Sequence, residues 1–359
     1  MKAVILVGGE GTRLRPLTLN RPKPMVPILN QPFLEHVIEY LKGHDIHDII
    51  LALCYLPDRI RAWFGDGTEF GVNLTYVVEQ SPLGTAGAVK NVAHCLEDDV
   101  FFVFNGDIYT DLDLTEMLKQ HRQRNARLSI ALTPVDDPSI YGVVETEPDG
   151  RVRRFLEKPS ADTVTSNMIN AGTYILDRET LESIPAEGFC MFEHDVFPRL
   201  VEAGEAVYGH PSHAYWIDIG TPEKYLKLHH DLLHRQAETA RPDDVTCIEG
   251  DCDVHPSAQI TGPVIVARNS VIGRDVVVKG PSVIGTGCHV GAASRIDGAI
   301  VWNNSRLGER VSAQRCVIAE NVAVGDGSRI LERSVIGDRV VLGRYQKVGP
   351  DERLDSGVR

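Results

Sequence analysis

From residue 1 to residue 236, short apolar runs alternate with amphipathic stretches. Residues 3–7, 49–53, 74–78 and 100–104 read as buried strands. Between the first two, Phe33, Leu34, Val37, Ile38 and Leu41 recur at helical spacing and form one apolar face. Pro32 suits a first helical position and Gly43 a left-handed stop. A second helix is expected over 85–96, and a third starts at Asp113, with Glu116 three residues on in capping-box spacing. Another runs over 222–234, with Tyr225, Leu226, Leu228, Leu232 and Leu233 on its apolar positions. Strands that are apolar throughout, separated by helices, predict an α/β domain built on a Rossmann-like, mostly parallel sheet covered on both faces.

The period then changes. Val254, Ile260, Val266, Ile272, Val278, Ile284, Val290 and Ile296 stand six apart. The phase slips by one at Val301 and Leu307 and resumes at Ile318, Val324, Ile330, Ile336, Leu342 and Val348. Glycine often follows the apolar position (Gly273, Gly285, Gly291, Gly325, Gly337), and a small or β-branched residue commonly sits two before it (Val276, Cys288, Ser294, Val322, Ser328). Neither a helix nor a simple hairpin has a period of six. Hexapeptide repeats predict a parallel β-helix, in which each short strand turns one apolar side chain into a continuous core. The expected organisation is an α/β domain over 1–236, a polar linker over 237–253 and a β-helix over 254–350.

Composition narrows the function classes. Hydrophobic residues at 43% and charged residues at 24% are those of a globular chain. The 37 basic and 50 acidic side chains leave a net charge of −13, a poor match to nucleic acid or a membrane surface. An anionic substrate would need a local basic cluster working against that field. The N-terminal apolar run is too short for a signal-peptide core or a bilayer span. Seven cysteines, odd in number and without C-x-x-C spacing, read as reduced packing residues, and the expected location is cytoplasmic. His230 and His234 share i, i+4 spacing but lack the glutamate of H-E-x-x-H, so a surface or junction helix explains them better than a metal.

A basic cluster does follow the first strand. Gly8-Gly9-Glu10-Gly11-Thr12-Arg13 is a glycine turn whose backbone N–H groups can approach a phosphate. The dinucleotide fingerprint fails because Leu14 stands where a third glycine is required, and the Gly-Lys-Ser/Thr of a Walker A loop is missing. Arg13, Arg15, Arg21 and Lys23 form the cluster, and the prolines of Arg21-Pro22-Lys23-Pro24-Met25-Val26-Pro27 would hold Lys23 out as a fixed charge. An ordinary solvated basic turn is the alternative, but it gives no reason for the adjoining glycines.

Residues 7–18 (VGGEGTRLRPLT), followed by Pro22-Lys23-Pro24-Met25, resemble the signature of the sugar-1-phosphate nucleotidyltransferases. Asn105-Gly106-Asp107, Tyr141-Gly142-Val143-Val144, Phe155-Leu156-Glu157-Lys158-Pro159, Ile169-Asn170-Ala171-Gly172 and Trp216-Ile217-Asp218-Ile219-Gly220 are similar to the remaining motifs, in order. With a left-handed β-helix following, the likeness is greatest to the mannose-1-phosphate guanylyltransferase (GDP-mannose pyrophosphorylase) branch. The resemblance implies attack by a sugar-1-phosphate oxygen on the α-phosphorus of a nucleoside triphosphate, with release of pyrophosphate. Such a transfer needs charge neutralisation and positioning more than a protein nucleophile.

The same resemblance gives Leu6, Gly8, Gly9, Gly11, Thr12, Glu79, Gly84 and Thr85 to the nucleotide. Gly142, Glu157, Asn170 and Gly172 go to the sugar. Arg13, Lys23, Asp107 and Lys158 are the expected catalytic residues, with Arg13 at the departing pyrophosphate, Lys23 near the α-phosphate and Lys158 at the sugar phosphate. Asp107 closes an apolar strand and Asp218 lies in an apolar run. Buried carboxylates need a cation, and Mg²⁺ takes one or two of them together with phosphate oxygens. A loop cap or an arginine partner is the alternative for each.

Residues 79–87 occupy the base-reading region. Relatives of thymidylyl and uridylyl type commonly carry glutamine where Glu79 falls. Guanine offers two adjacent donors, which suit an acceptor-only carboxylate, whereas a pyrimidine's imide edge suits an amide. Glu79 therefore favours GTP, with Gln80 or backbone groups as the alternative readers. Uridylyl or thymidylyl transfer to glucose-1-phosphate keeps the same chemistry. Acyl transfer on the β-helix is opposed by its having only His255 and His289 as candidate bases. A non-catalytic homologue should have lost part of the set Arg13, Lys23, Asp107, Lys158 and Asp218. The β-helix ends are expected to support homo-oligomerisation.

Overall fold

In a computed structural model, residues 1–239 and 245–356 are described; residues 240–244 of the expected linker lie outside them. By contact, the chain divides into two compact units, one of Met1–Gly9 and Leu34–Asp218, the other of Glu10–Phe33 and Ile219–Arg359.

The first unit is built on a nine-stranded sheet. Its strands are β1 (Lys2–Val7), β2 (Asp48–Leu53), β3 (Asn73–Val78), β4 (Val100–Asn105), β6 (Leu128–Pro134), β7 (Gly142–Thr146), β8 (Val152–Glu157), β9 (Met168–Asp177) and β10 (Val207–Pro211), while β5 (Ile108–Thr110) pairs elsewhere. The order is β8-β7-β9-β4-β1-β2-β3, with β6 on β9 and β10 on β6. The four runs expected as buried strands are β1 to β4, and they pair in parallel, but β3 ends the strand order and is half-exposed rather than buried, because it has a partner on one side alone. β9 runs antiparallel to β4 and to β6. Because β2 and β4 flank β1 on opposite sides, the strand order reverses at β1, the place where α/β sheets receive ligands beyond their carboxyl ends.

The helices α1 (Phe33–Gly43), α2 (Pro57–Phe64), α3 (Gly84–Asn91) and α4 (Leu114–Gln123) connect these strands. Pro32 lies outside α1, in a two-residue strand paired with Pro27–Ile28. Gly43 is the last residue of α1, and the left-handed stop falls on Asp45, φ 58°. There Asp45 N–H bonds Lys42 O and Ile46 N–H bonds Leu41 O, a Schellman arrangement moved on by the burial of Ile46. The stretch expected as a helix over 85–96 is α3 followed by a 3₁₀ turn, Ala93–Cys95, whose tightening turns Leu96 into the core. Asp113 caps α4 by accepting from Glu116 N–H, as its spacing predicts.

In the second unit, short strands climb three parallel ladders of seven, six and six members. They run from Thr246–Ile248 to Arg353–Leu354, so the coils start inside the stretch expected as linker and continue past residue 350. Val283 pairs with Ile300, and Ile300 with Val317, each step one residue shorter than that from Val264 to Ser282. The phase therefore slips at Val301 and again at Ile318, and between them Ala313, fully buried, fills the inward position. Gly291 is required by close approach, since a Cβ there would stand 2.5 Å from the Gly308 carbonyl carbon of the next coil. Helix α5 (Phe197–Glu202) covers the sheet, and α6 (Pro222–Thr239), longer than expected, precedes the coils. No described helix is long and apolar enough to cross a membrane.

Candidate active site

The carboxyl ends of β1 and β4 are neighbours. Leu6 pairs with Asn105, and Gly106 N–H bonds Leu6 O at 2.9 Å. A Cβ on Gly106 would lie 2.5 Å from that oxygen, so the chain turns away from the sheet only with glycine here. Gly8, one step past β1, faces Glu79 one step past β3: a Cβ on Gly8 would meet Glu79 Oε1 at 3.8 Å. Glu79 is 8% exposed, and its Oε2 accepts from Leu83 N–H at 3.0 Å. Burial raises its pKa above the ordinary glutamate value, partly opposed by that N–H.

Gly84 opens α3 at φ 76°, where a Cβ would stand 2.5 Å from Cys190 O. Thr85 was expected to reach the nucleotide, but its hydroxyl is engaged within the protein. It donates to Glu193 Oε2 at 2.8 Å and accepts from Phe192 N–H at 2.8 Å. What Thr85 can offer a ligand is its backbone N–H in the first turn of α3.

The expected sugar residues fall into two groups, Gly142 with Glu157 and Lys158, and Asn170 with Gly172. Glu157 pairs across the sheet with Gly142, and a Cβ on Gly142 would stand 2.8 Å from Glu157 Oε2. Lys158 sits at φ 44° directly before Pro159, a strained turn that exposes its ammonium, 3.3 Å from Glu157 Oε1. At an irregularity in β9, Asn170 Oδ1 accepts from Gly172 N–H (2.9 Å) while its Nδ2 donates to the Tyr174 hydroxyl (2.9 Å). Gly172, φ 71°, brings the backbone so near Asn105 that a Cβ would lie 2.7 Å from Asn105 Nδ2. Asn105 Oδ1 is buried with no hydrogen-bond partner among the described residues. Such atoms cluster where a ligand completes the bonding.

Sequence reasoning missed Glu193, Tyr174, Tyr141 and Trp216. Glu193 is 9% exposed on a π-helical turn, Phe192–Val196, with Tyr174 beside it. Burial, together with the charge of Glu157, raises its pKa. Glu193, flanked by the apolar residues 190–192 and 196–197, was the available signal, since a buried carboxylate demands partners.

Asp107 and Asp218 lie at one end of the same two-stranded ladder. Asp218 closes β11 (Trp216–Asp218), which pairs antiparallel with β5, and it stands opposite Ile108, the residue after Asp107. Asp218 is buried, and its Oδ2 accepts from the Tyr141 hydroxyl at 2.9 Å. Tyr141 packs edge-on against Trp216, whose Nε1 donates to Ala171 O. Among the described residues no cluster of three or more His, Cys, Asp or Glu is available to a metal. The donor chemistry at this ladder is two carboxylates, which fits Mg²⁺ completed by phosphate oxygens and water.

Of the glycine turn, Gly8 and Gly9 belong to the first unit and the residues from Glu10 on to the second. Gly11, φ 63°, packs so that a Cβ would meet Thr18 Cγ2 at 3.0 Å and Lys23 Cβ at 3.3 Å. Thr18 Oγ1 closes the turn onto Gly11 O. Thr12 and Arg13 are exposed at the tip. Lys23 is not held out in solvent: it is 7% exposed, because Pro22 and Pro24 bury with it in a 3₁₀ turn. Nor do all four basic residues form a phosphate cluster. Arg15 pairs with Glu10 at 3.0 Å, and Arg21 pairs with Glu320 at 2.7 Å and Asp338 at 3.4 Å. Along α6, His229 is a satisfied interior histidine: Leu29 N–H points to its Nδ1 and its Nε2–H to Pro27 O.

The chain belongs to the nucleotidyl transferase family, whose model matches residues 2–235. A second model, the EIF2B subunit epsilon LbH domain, matches residues 246–348 and places the coils among left-handed β-helices. The chain is 37% identical to the mannose-1-phosphate guanylyltransferase of Mycobacterium tuberculosis, over 85% of this chain and 80% of that one. It is 32% identical to the UTP–glucose-1-phosphate uridylyltransferase of Synechocystis sp., over 98% of each. The crystal structure of HddC from Yersinia pseudotuberculosis complexed with GMP-PN matches at 35% identity and TM-score 0.56, covering 64% of this chain and 99% of its own.

Proposed function

We propose that the protein transfers the guanylyl group of GTP to mannose-1-phosphate, giving GDP-mannose and pyrophosphate. One observation carries the choice of base: Glu79, a buried carboxylate beside Gly8 at the strand ends, is a pure acceptor when ionised and so suits the paired donors of guanine. The matched Mycobacterium tuberculosis guanylyltransferase supports it. A mannose-1-phosphate oxygen bonds to the α-phosphorus as the bond from that phosphorus to the pyrophosphate oxygen breaks. Charge moves onto the leaving pyrophosphate, where Arg13 stabilises it, while Lys23 neutralises the α-phosphate. Lys158 holds the sugar phosphate. Glu157, Asn170 and the Gly142 N–H read hydroxyls, and the bonds of Asn170 to Gly172 and Tyr174 fix its amide. Asp107 and Asp218 would hold Mg²⁺, which when bound supplies further neutralisation of phosphate charge.

The reading extends to a cytoplasmic homo-oligomer joined through the β-helix, which sedimentation would check by finding a species heavier than one chain. The deciding assay is pyrophosphate release from GTP, UTP and dTTP with mannose- or glucose-1-phosphate, with and without Mg²⁺. The expected result is the highest kcat/KM for GTP with mannose-1-phosphate, lost without the ion. A preference for UTP with glucose-1-phosphate would instead install the second reading, which the Synechocystis relative supports over 98% of both chains.

A further inference from the structure

The turn that carries Arg13 and Lys23 is gripped by the β-helix at several points from Arg13 to Arg21. The Arg21 guanidinium lies over the Trp302 ring, 4.6 Å from its centroid, and pairs with Glu320 at 2.7 Å and Asp338 at 3.4 Å. Asp338 is itself fixed, because its Oδ1 accepts from Glu320 N–H at 3.1 Å. Nearer Arg13, the Arg353 guanidinium donates to Arg13 O at 2.9 Å and to Arg15 O at 3.4 Å. Pro16 fits against Gly337, where any Cβ would stand 2.9 Å from the proline ring.

Packing alone does not require this arrangement. A half-buried ion pair contributes little net stability compared with an apolar contact of the same shape, and Arg21 Nε is buried without a partner. What an arginine between two carboxylates and an indole supplies is a single defined position.

We propose that Arg21, held by Trp302, Glu320 and Asp338, is a positioning residue through which the β-helix sets the geometry of the turn presenting Arg13 and Lys23 to the triphosphate. This rests on the reading that these two cations serve the nucleotide. The sugar-phosphate residues Glu157, Lys158 and Asn170 belong to the other compact unit, so the device acts on one substrate and spares the second.

The test compares wild type with Arg21→Met, Arg21→Lys and the Glu320→Gln/Asp338→Asn pair in the full chain. Two readouts are taken: amide hydrogen exchange over residues 10–23, and separate KM values for GTP and mannose-1-phosphate. The expected result is faster exchange confined to residues 10–23 and a KM for GTP raised about tenfold, equivalent to about 1.4 kcal/mol. KM for mannose-1-phosphate should stay within about twofold, with Arg21→Lys intermediate, because it keeps the charge and loses the fork. Unchanged exchange, or equal shifts in both KM values, would overturn the proposal. So would faster exchange throughout the β-helix with a lowered Tm, which marks a purely structural role. Wild type inactive with every substrate pair would overturn the catalytic reading and the nucleotide role of the turn. The exchange arm would still decide whether Arg21 orders it.

Discussion

On the proposed reading that Glu79 meets the base, its burial couples base choice to pH. Burial raises its pKa, so acid begins to protonate it at a higher pH than an ordinary glutamate. The protonated form loses the acceptor-only character that paired donors require. KM for GTP should therefore climb as pH falls from neutrality toward the raised pKa. Glu79→Gln should bind GTP more weakly, by about 1.5–3 kcal/mol for a lost charged hydrogen bond, and should lose this pH dependence. Steady-state kinetics across pH for both proteins decide it; the same profile in the variant would remove Glu79 from the base site. The same carboxylate weighs on folding in the opposite direction. Because its folded pKa is raised, the fold is favoured below the ordinary glutamate pKa and loses that advantage as pH rises through the folded one. Glu193, raised for the same reason, behaves alike. For both, burial disfavours the ionised form, so carrying the charge costs stability. Only Glu79 was picked out from the sequence, through the resemblance that puts residues 79–87 in the base-reading region. Glu193 depends on Thr85 and Tyr174 coming together from distant segments, which no local spacing encodes.

At the scale of elements, the β-helix was the most readable part, since a period of six has one structural solution and each coil repeats it. The residues two before the apolar positions carry more than small size. Ser305 Oγ donates to Ala319 O at 2.7 Å and accepts from Val322 N–H at 3.1 Å, joining one coil to the next from a fully buried place. Ser270, Ser294 and Ser328 repeat the motif. Ser305→Ala would leave that buried N–H without the serine, so a loss of about 1–3 kcal/mol is expected. Denaturant unfolding measures it, and a variant as stable as wild type would mean that water or a shifted coil satisfies the amide. Helix ends were less legible. Gly43 looked like the natural stop of α1, yet Asp45 takes the left-handed position, because burying Ile46 outweighs the modest penalty of φ 58° for an aspartate.

For the whole molecule, chain order misleads about what packs together. The motif order implied one domain over 1–236, whereas residues 10–33 share a compact unit with the coils, an outcome fixed by contacts such as Arg21 with Glu320 and Arg353 with the Arg13 carbonyl. The same contacts alter the electrostatic argument. Four basic residues in the opening turn seemed enough to draw anions toward a chain of net charge −13. Glu10 neutralises Arg15, and Glu320 and Asp338 neutralise Arg21, so the four cations draw anions less strongly than their number suggests. Their reach is short, while the repulsion from the acidic excess is long-ranged and is screened first. The Debye length falls from about 30 Å at about 0.01 M salt to about 10 Å at about 0.1 M. Over that range kcat/KM for GTP should rise by roughly two- to fivefold as distant repulsion is removed, with contacts at a few ångströms little changed. Kinetics at fixed free Mg²⁺ and subsaturating GTP test this. A falling kcat/KM would mean that the turn's own field governs capture and that the neutralised pairs still attract at a distance.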